Sequence, residues 1–242
     1  MQRNVQRFLD EKFIQAIDLD LVAEFLERHR SIFGKLDLKL SLASEEADRV
    51  QFFLALSRLN EPGSDAVLEE LHRIAVIAKE PGFTALQNRA ALSGRDIIPP
   101  TDRLSTLDMR CIAFRTFLRY PEIFEQAEDW WALERHTAIT EYEGEDPVAP
   151  VLNDETKELF AEGAEALYAE RYREKYCRMR WYDQDGNVYA VVTHGILPVT
   201  TTRIEGGREE AITFREAKQD ILIYDASSGR LQVGARHHEE KR

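Results

Sequence analysis

Residues 176–193 read YCRMRWYDQDGNVYAVVT, and this stretch decides the class of the fold. Tyr176–Tyr182 and Val188–Thr193 are rich in aromatic and β-branched residues, and Asp183-Gln184-Asp185-Gly186-Asn187 lies between them. Asp-Gly supplies the left-handed backbone that a tight hairpin needs, so the stretch predicts two antiparallel strands. Downstream the pattern recurs. Pro198–Ile204 and Ala211–Arg215 flank Glu205-Gly206-Gly207, and Asp220–Tyr224 and Leu231–Ala235 flank Ser227-Ser228-Gly229. Five or six short strands joined by tight turns imply an antiparallel sheet or half-barrel.

Upstream of the hairpins, Asp154 is expected to cap a helix over 154–170. Leu159, Phe160, Gly163, Ala166 and Leu167 would face inward and Glu155, Glu158, Glu162 and Glu165 outward. Glu143–Asn153, with Gly144, Pro147 and Pro150, reads as a linker or surface loop, and His136–Tyr142 alternates like a first strand.

The first half is helical in pattern. Val5, Phe8, Leu9, Phe13, Ile14 and Ile17 recur at three- and four-residue spacing, as do Leu21, Val22, Phe25 and Leu26. A third helix opens at Ser44 and ends at Asn60-Glu61-Pro62-Gly63. A fourth runs from Ser64 to Glu80-Pro81-Gly82, and a short one covers Thr84–Leu92. Another begins at Ser105, and Pro121 fits the first turn of the last, where its missing amide proton costs nothing. No repeat period emerges. The expected architecture is α+β: an α-helical bundle-like domain over 1–135, then an antiparallel sheet domain over 136–242.

Composition narrows the classes. The 242 residues carry a formal net charge of -12 and are 43% apolar and 31% charged, enough for a core and too polar for a membrane-spanning protein. Residues 1–150 carry -9 of that charge and residues 151–242 carry -3. The opening residues turn acidic too soon for a signal peptide. Cys111 and Cys177 make neither a disulfide framework nor a zinc knuckle, so a cytoplasmic setting is expected.

The densest basic cluster is Arg171, Tyr172, Arg173, Lys175, Tyr176, Arg178, Arg180 and Trp181. On a strand Tyr176, Arg178, Arg180 and Tyr182 share one face, and such a face can hold phosphate with guanidinium and stack bases on rings. Arg171, Arg173, Tyr176, Arg178, Arg180 and Tyr182 are therefore the candidate nucleic-acid residues. Glu216-Ala217-Lys218 forms the back half of a metal-dependent nuclease motif, with Asp183 or Asp185 as the upstream carboxylate. Asp183–Asn187 starts like a calcium loop, but position twelve is His194, so a turn explains it. His194 ends an apolar strand before Gly195, where an imidazole can be presented. Adjacent Trp130 and Trp131 point about 100° apart on a helix, so one can reach a neighbouring domain or a partner.

No phosphate loop, dinucleotide fingerprint or nucleophile elbow is present. The sequence thus leads to a non-catalytic adaptor, sensor or regulatory subunit of a larger assembly. It is expected to take a protein partner or second copy at Trp130 and Trp131, and to carry no catalytic residues, metal or cofactor. The alternative is nucleic-acid binding, or metal-dependent cleavage at Glu216 and Lys218. A small-molecule sensor with a pocket inside the curled sheet is compatible with the same pattern.

Overall fold

The computed structural model describes residues 11–34, 45–57, 64–99, 107–135, 139–144, 146–172, 176–205 and 207–235. The fold is α+β: helices make the first half, and a five-stranded antiparallel sheet with a separate two-stranded ribbon makes the second. The chain divides into two compact units, Met1–Trp131 and Ala132–Arg242.

In the first unit the described elements are α1 (Glu11–Ala16), α2 (Leu19–Arg28), α3 (Arg30–Phe33), α4 (Glu45–Ser57), α5 (Ser64–Ile77), α6 (Glu80–Leu92), α7 (Met109–Arg119) and the start of α8 (Pro121–Arg135). Their apolar stripes meet in one core, in which Phe25 packs edge-on to Phe114 and Phe117 edge-on to Phe124. Arg73 lies over the Phe117 and Phe124 rings and forks onto the Glu128 carboxylate, tying α5 to α8. Val5, Phe8, Leu9, Ser44, Ser105 and the 60–63 stop signal lie outside the described residues.

Two helix starts differ from the expectation. Glu80-Pro81-Gly82 opens α6 instead of closing α5, because proline is tolerated in a first turn as readily here as at Pro121. Gly82 is needed there: a Cβ would sit 2.7 Å from the Ile77 carbonyl oxygen. The helix placed at Ser105 begins at Met109, where Asp108 accepts from the Arg110 amide.

The second unit's sheet runs in the order β1-β7-β6-β3-β2, from β1 (Ile139–Glu143), β2 (Cys177–Gln184), β3 (Asn187–Gly195), β6 (Ala217–Asp225) and β7 (Arg230–Gly234). Asp185 and Gly186 both have positive φ, at 55° and 78°, as the hairpin between β2 and β3 requires. Between β3 and β6 the chain leaves the sheet as a ribbon, β4 (Val199–Glu205) and β5 (Arg208–Phe214), and returns where the Ile196 amide donates to the Glu216 carbonyl. The ribbon's described side chains are exposed on both faces apart from half-buried Ile212. Helix α9 (Asp154–Tyr172) packs on β2 and β3.

The face that α9 presents is rotated from the expected one. Tyr168 and Tyr172 are buried, whereas Leu159 and Leu167 are 61% and 49% exposed and a Cβ on Gly163 would meet nothing. Leucine and tyrosine both satisfy a helical stripe. The tyrosines prevail because each places a ring against a buried histidine of the sheet, and one adds a hydroxyl bond. The cap is Asn153 instead of Asp154: its carboxamide oxygen accepts from the Thr156 amide, and its own amide donates to the Thr156 hydroxyl.

Candidate functional site

The register assigns the side chains of the sheet to two faces, since directly paired residues share one. Cys177, Met179 and Trp181 of β2 lie beside Val192, Ala190, Val188 and His194 of β3 and Asp220, Leu222 and Tyr224 of β6, and this is the face that α9 covers. Arg178, Arg180 and Tyr182 lie on the opposite face with Tyr189, Val191, Thr193, Ile221 and Ile223.

At the Gly195 end of the helix-covered face sits a closed polar cluster. Asp220 accepts from the Tyr168 hydroxyl at 2.9 Å and holds His194 Nε2 at 3.0 Å through the same oxygen. The other ring nitrogen, Nδ1, is 3.2 Å from the Gly195 carbonyl. The Tyr168 ring stacks on the imidazole, with centroids 3.9 Å apart and planes 10° apart, and Tyr172 stacks more loosely at 5.5 Å. Arg215 closes the C-terminus of α9 by donating to the carbonyls of Tyr172 and Ile196. His194 is fully buried and Asp220 is 4% exposed. Both imidazole nitrogens already face oxygens, so neither is left to take a proton from a substrate. Cys177 stands opposite His194, but burial, with Glu165 and Asp220 adding to it, pushes its thiol up to about 11. A neutral thiol is a poor nucleophile. The cluster joins α9 to the sheet.

Further along the same face the sheet and α9 part, and an apolar cavity of about 290 Å³ opens between them. Trp181, Val188, Ala190, Leu222, Tyr224 and Leu231 make its floor. Pro150, Val151 and Leu152, with Thr156, Lys157 and Phe160 from the first turns of α9, make its roof. Phe160 meets Trp181 edge-on at 5.3 Å. The stretch read as a linker or surface loop is a strap across this cavity. The Tyr224 hydroxyl donates to the Val148 carbonyl at 2.7 Å and accepts from the Val148 amide at 3.0 Å. The Gly144 amide donates to the Gly229 carbonyl, and Gly229 has φ +70° with Pro147 so near that a Cβ would lie 3.0 Å from its Cα. The β6–β7 turn that carries Gly229 is held by Asp225, which accepts from the hydroxyls of Ser227 and Ser228. Those bonds pull its carboxyl down to about 2.

The remaining candidates are dispersed. Asp183 pairs with Val188, and Glu216 lies one residue beyond the Ala217–Gly195 pair, so the two stand about eight residues apart along β3, about 26 Å at 3.3 Å per residue. The two halves of the nuclease pattern therefore do not meet. Glu216 instead accepts from Lys218 at 2.7 Å. Among the described residues no group of three or more His, Cys, Asp or Glu side chains is placed to hold a metal ion.

Arg178 is exposed beside half-buried Arg180 and Tyr182 on the face they share. Arg171 lies elsewhere, on α9 with its guanidinium 5.9 Å from the Tyr172 ring, so the basic residues split between the two sides of the sheet. Val191 and Ile221, next to Arg180 on its face, are 1% exposed. Tyr176 precedes β2 and is exposed, and Arg173 lies outside the described residues. Trp130 and Trp131 pack against the core of the first unit, with the buried Arg89 guanidinium 3.8 Å over the Trp130 ring.

Sequence reasoning missed Lys157, Tyr224 and the strap. The signal was the apolar run Val148-Ala149-Pro150-Val151-Leu152 inside a stretch otherwise read as a linker or surface loop. Comparison with family models, with curated proteins and with solved structures finds no match for the chain. No helix among the described residues is long and apolar enough to cross a membrane.

Proposed function

We propose that this chain is a non-catalytic cytoplasmic sensor or regulatory subunit, and that its second unit takes up a small, largely apolar molecule beneath the strap. The observation that carries the reading is the 290 Å³ cavity with its apolar lining. Ligand sites are concave, mostly apolar and furnished with a few polar groups, and this cavity has that character. The most active-site-like cluster, His194 with Asp220 and Tyr168, supports the non-catalytic half of the reading, because its bonds are all turned inward. A partner-facing role draws support from the exposed apolar stripe of α9, Leu159, Gly163 and Leu167, set among exposed glutamates.

Two uncharged probes, indole and 1-hexanol, test the cavity. Wild-type protein is expected to bind both, with chemical-shift changes at the Trp181 indole N–H. Filling the cavity from the floor with Ala190→Phe, or from the roof with Leu152→Phe, should abolish them. Unchanged binding in both folded variants refutes the site. Size-exclusion chromatography with light scattering tests the subunit role: a monomer that co-purifies with nothing from its native host contradicts it.

A further inference from the structure

We infer that the molecule held under the strap carries a single anionic head, a carboxylate on a compact apolar body, and that Lys157 receives it. The inference rests on the sensor reading above and specifies its ligand.

Three observations bear on it. The first is size. An engineered apolar cavity of about 150 Å³ takes up benzene, so about 290 Å³ suits a body of roughly twice that bulk, a fused bicyclic ring or a medium aliphatic chain. The second is the polar inventory. The Tyr224 hydroxyl is committed to both backbone groups of Val148, and the Thr156 hydroxyl donates to the Val151 carbonyl. The single proton of each hydroxyl is spent on the strap, so neither can donate to a ligand. The third is charge. Among the described residues Lys157 is the one charged residue of the lining; it is half-buried and has no ion-pair partner among them, although Asp154, Glu155 and Glu158 are its neighbours in sequence. An ammonium beside an apolar cavity is matched by an anion whose apolar part lies inside.

The test uses the full chain and two acids of different body, octanoate and 2-naphthoate, each beside its uncharged amide. Calorimetric titration should show both acids bound more tightly than their amides, by about tenfold at low salt, the scale of one hydrogen bond to a charged group. That preference should shrink at 0.5 M salt. Lys157→Met keeps the apolar stem, so it should weaken the acids about tenfold and shift the amides by less than twofold. Tighter binding of octanoate assigns an aliphatic body, and tighter binding of 2-naphthoate an aromatic one. Amides that bind as well as the acids, unaffected by Lys157→Met, overturn the charge inference and leave the apolar site standing. Failure of all four compounds, in protein whose Trp181 resonance shows it folded, overturns both.

Discussion

Removing the Asp220 carboxylate tests the assignment of the buried cluster as a structural lock. In Asp220→Ala the Tyr168 hydroxyl and His194 Nε2 both lose the oxygen they share, and neither reaches water, since the three side chains are at most 6% exposed. Each buried polar group left unpaired costs about 1–3 kcal/mol, and breaking a buried ion-type pair costs about 3–5 kcal/mol in all. A loss of that size exceeds half the stability of a modest domain and lowers the Tm of a unit this large by on the order of 15 °C. Tyr168→Phe removes one donor and leaves the His194–Asp220 contact, so its cost should be about 1–1.5 kcal/mol. Because the two residues share one oxygen, the double variant should cost clearly less than the sum of the singles. Urea denaturation read by circular dichroism, together with hydrogen exchange at the Val191–His194 amides, measures all three. If Asp220→Ala costs under about 1 kcal/mol, the lock is refuted. The cluster would then be a strained site kept at the expense of stability, and a catalytic role for His194 would return.

Other outcomes follow from single contacts. Gly82→Ala should destabilise the first unit by about 1–3 kcal/mol in urea, because the new methyl collides with the Ile77 backbone and neither partner is a flexible side chain; Gly163→Ala, at a helical glycine where a Cβ meets nothing, is the control and should not lower stability. Asp108→Ala should cost about 1 kcal/mol by uncapping α7. The Arg110 guanidinium holds the Asp108 carboxyl below its usual range against the opposing effect of burial, so this stability is present above the unfolded carboxylate pKa and fades as pH falls through the folded one. Acid titrations of wild type and variant should therefore converge at low pH, and a constant gap would disprove the linkage. At pH 8 the Cys177 thiol, raised to about 11, should react with iodoacetamide at least a hundredfold more slowly in native than in urea-unfolded protein. A native rate near that of an ordinary exposed thiol would place Cys177 in a different environment.

Local chemistry was legible where short-range rules act alone. The Asp185-Gly186 turn, the helix opened by Pro121 and the alternation of β2 each depend on residues within a few positions of one another, and each stands in the structure where the pattern put it. Glu80-Pro81-Gly82 was legible as punctuation, but its sense was not: a proline that can close one helix can equally open the next. The candidate site was largely hidden. Lys157 reads as one more charge on a charged helix, and Tyr224 as one more strand aromatic, until the strap brings Val148 to the tyrosine hydroxyl across 76 residues of chain.

From the sequence alone came the α+β class, the hairpins and their turns, and the helical first half, because hydrophobic period and turn chemistry are properties of neighbouring residues. Tertiary structure alone decided that β1 pairs with β7, that the β4–β5 ribbon leaves the sheet, and that α9 turns its tyrosines inward. Those outcomes depend on which distant groups a side chain can satisfy once buried. Asp220 needs a tyrosine 52 residues away and a histidine 26 residues away, and no local pattern encodes that pairing.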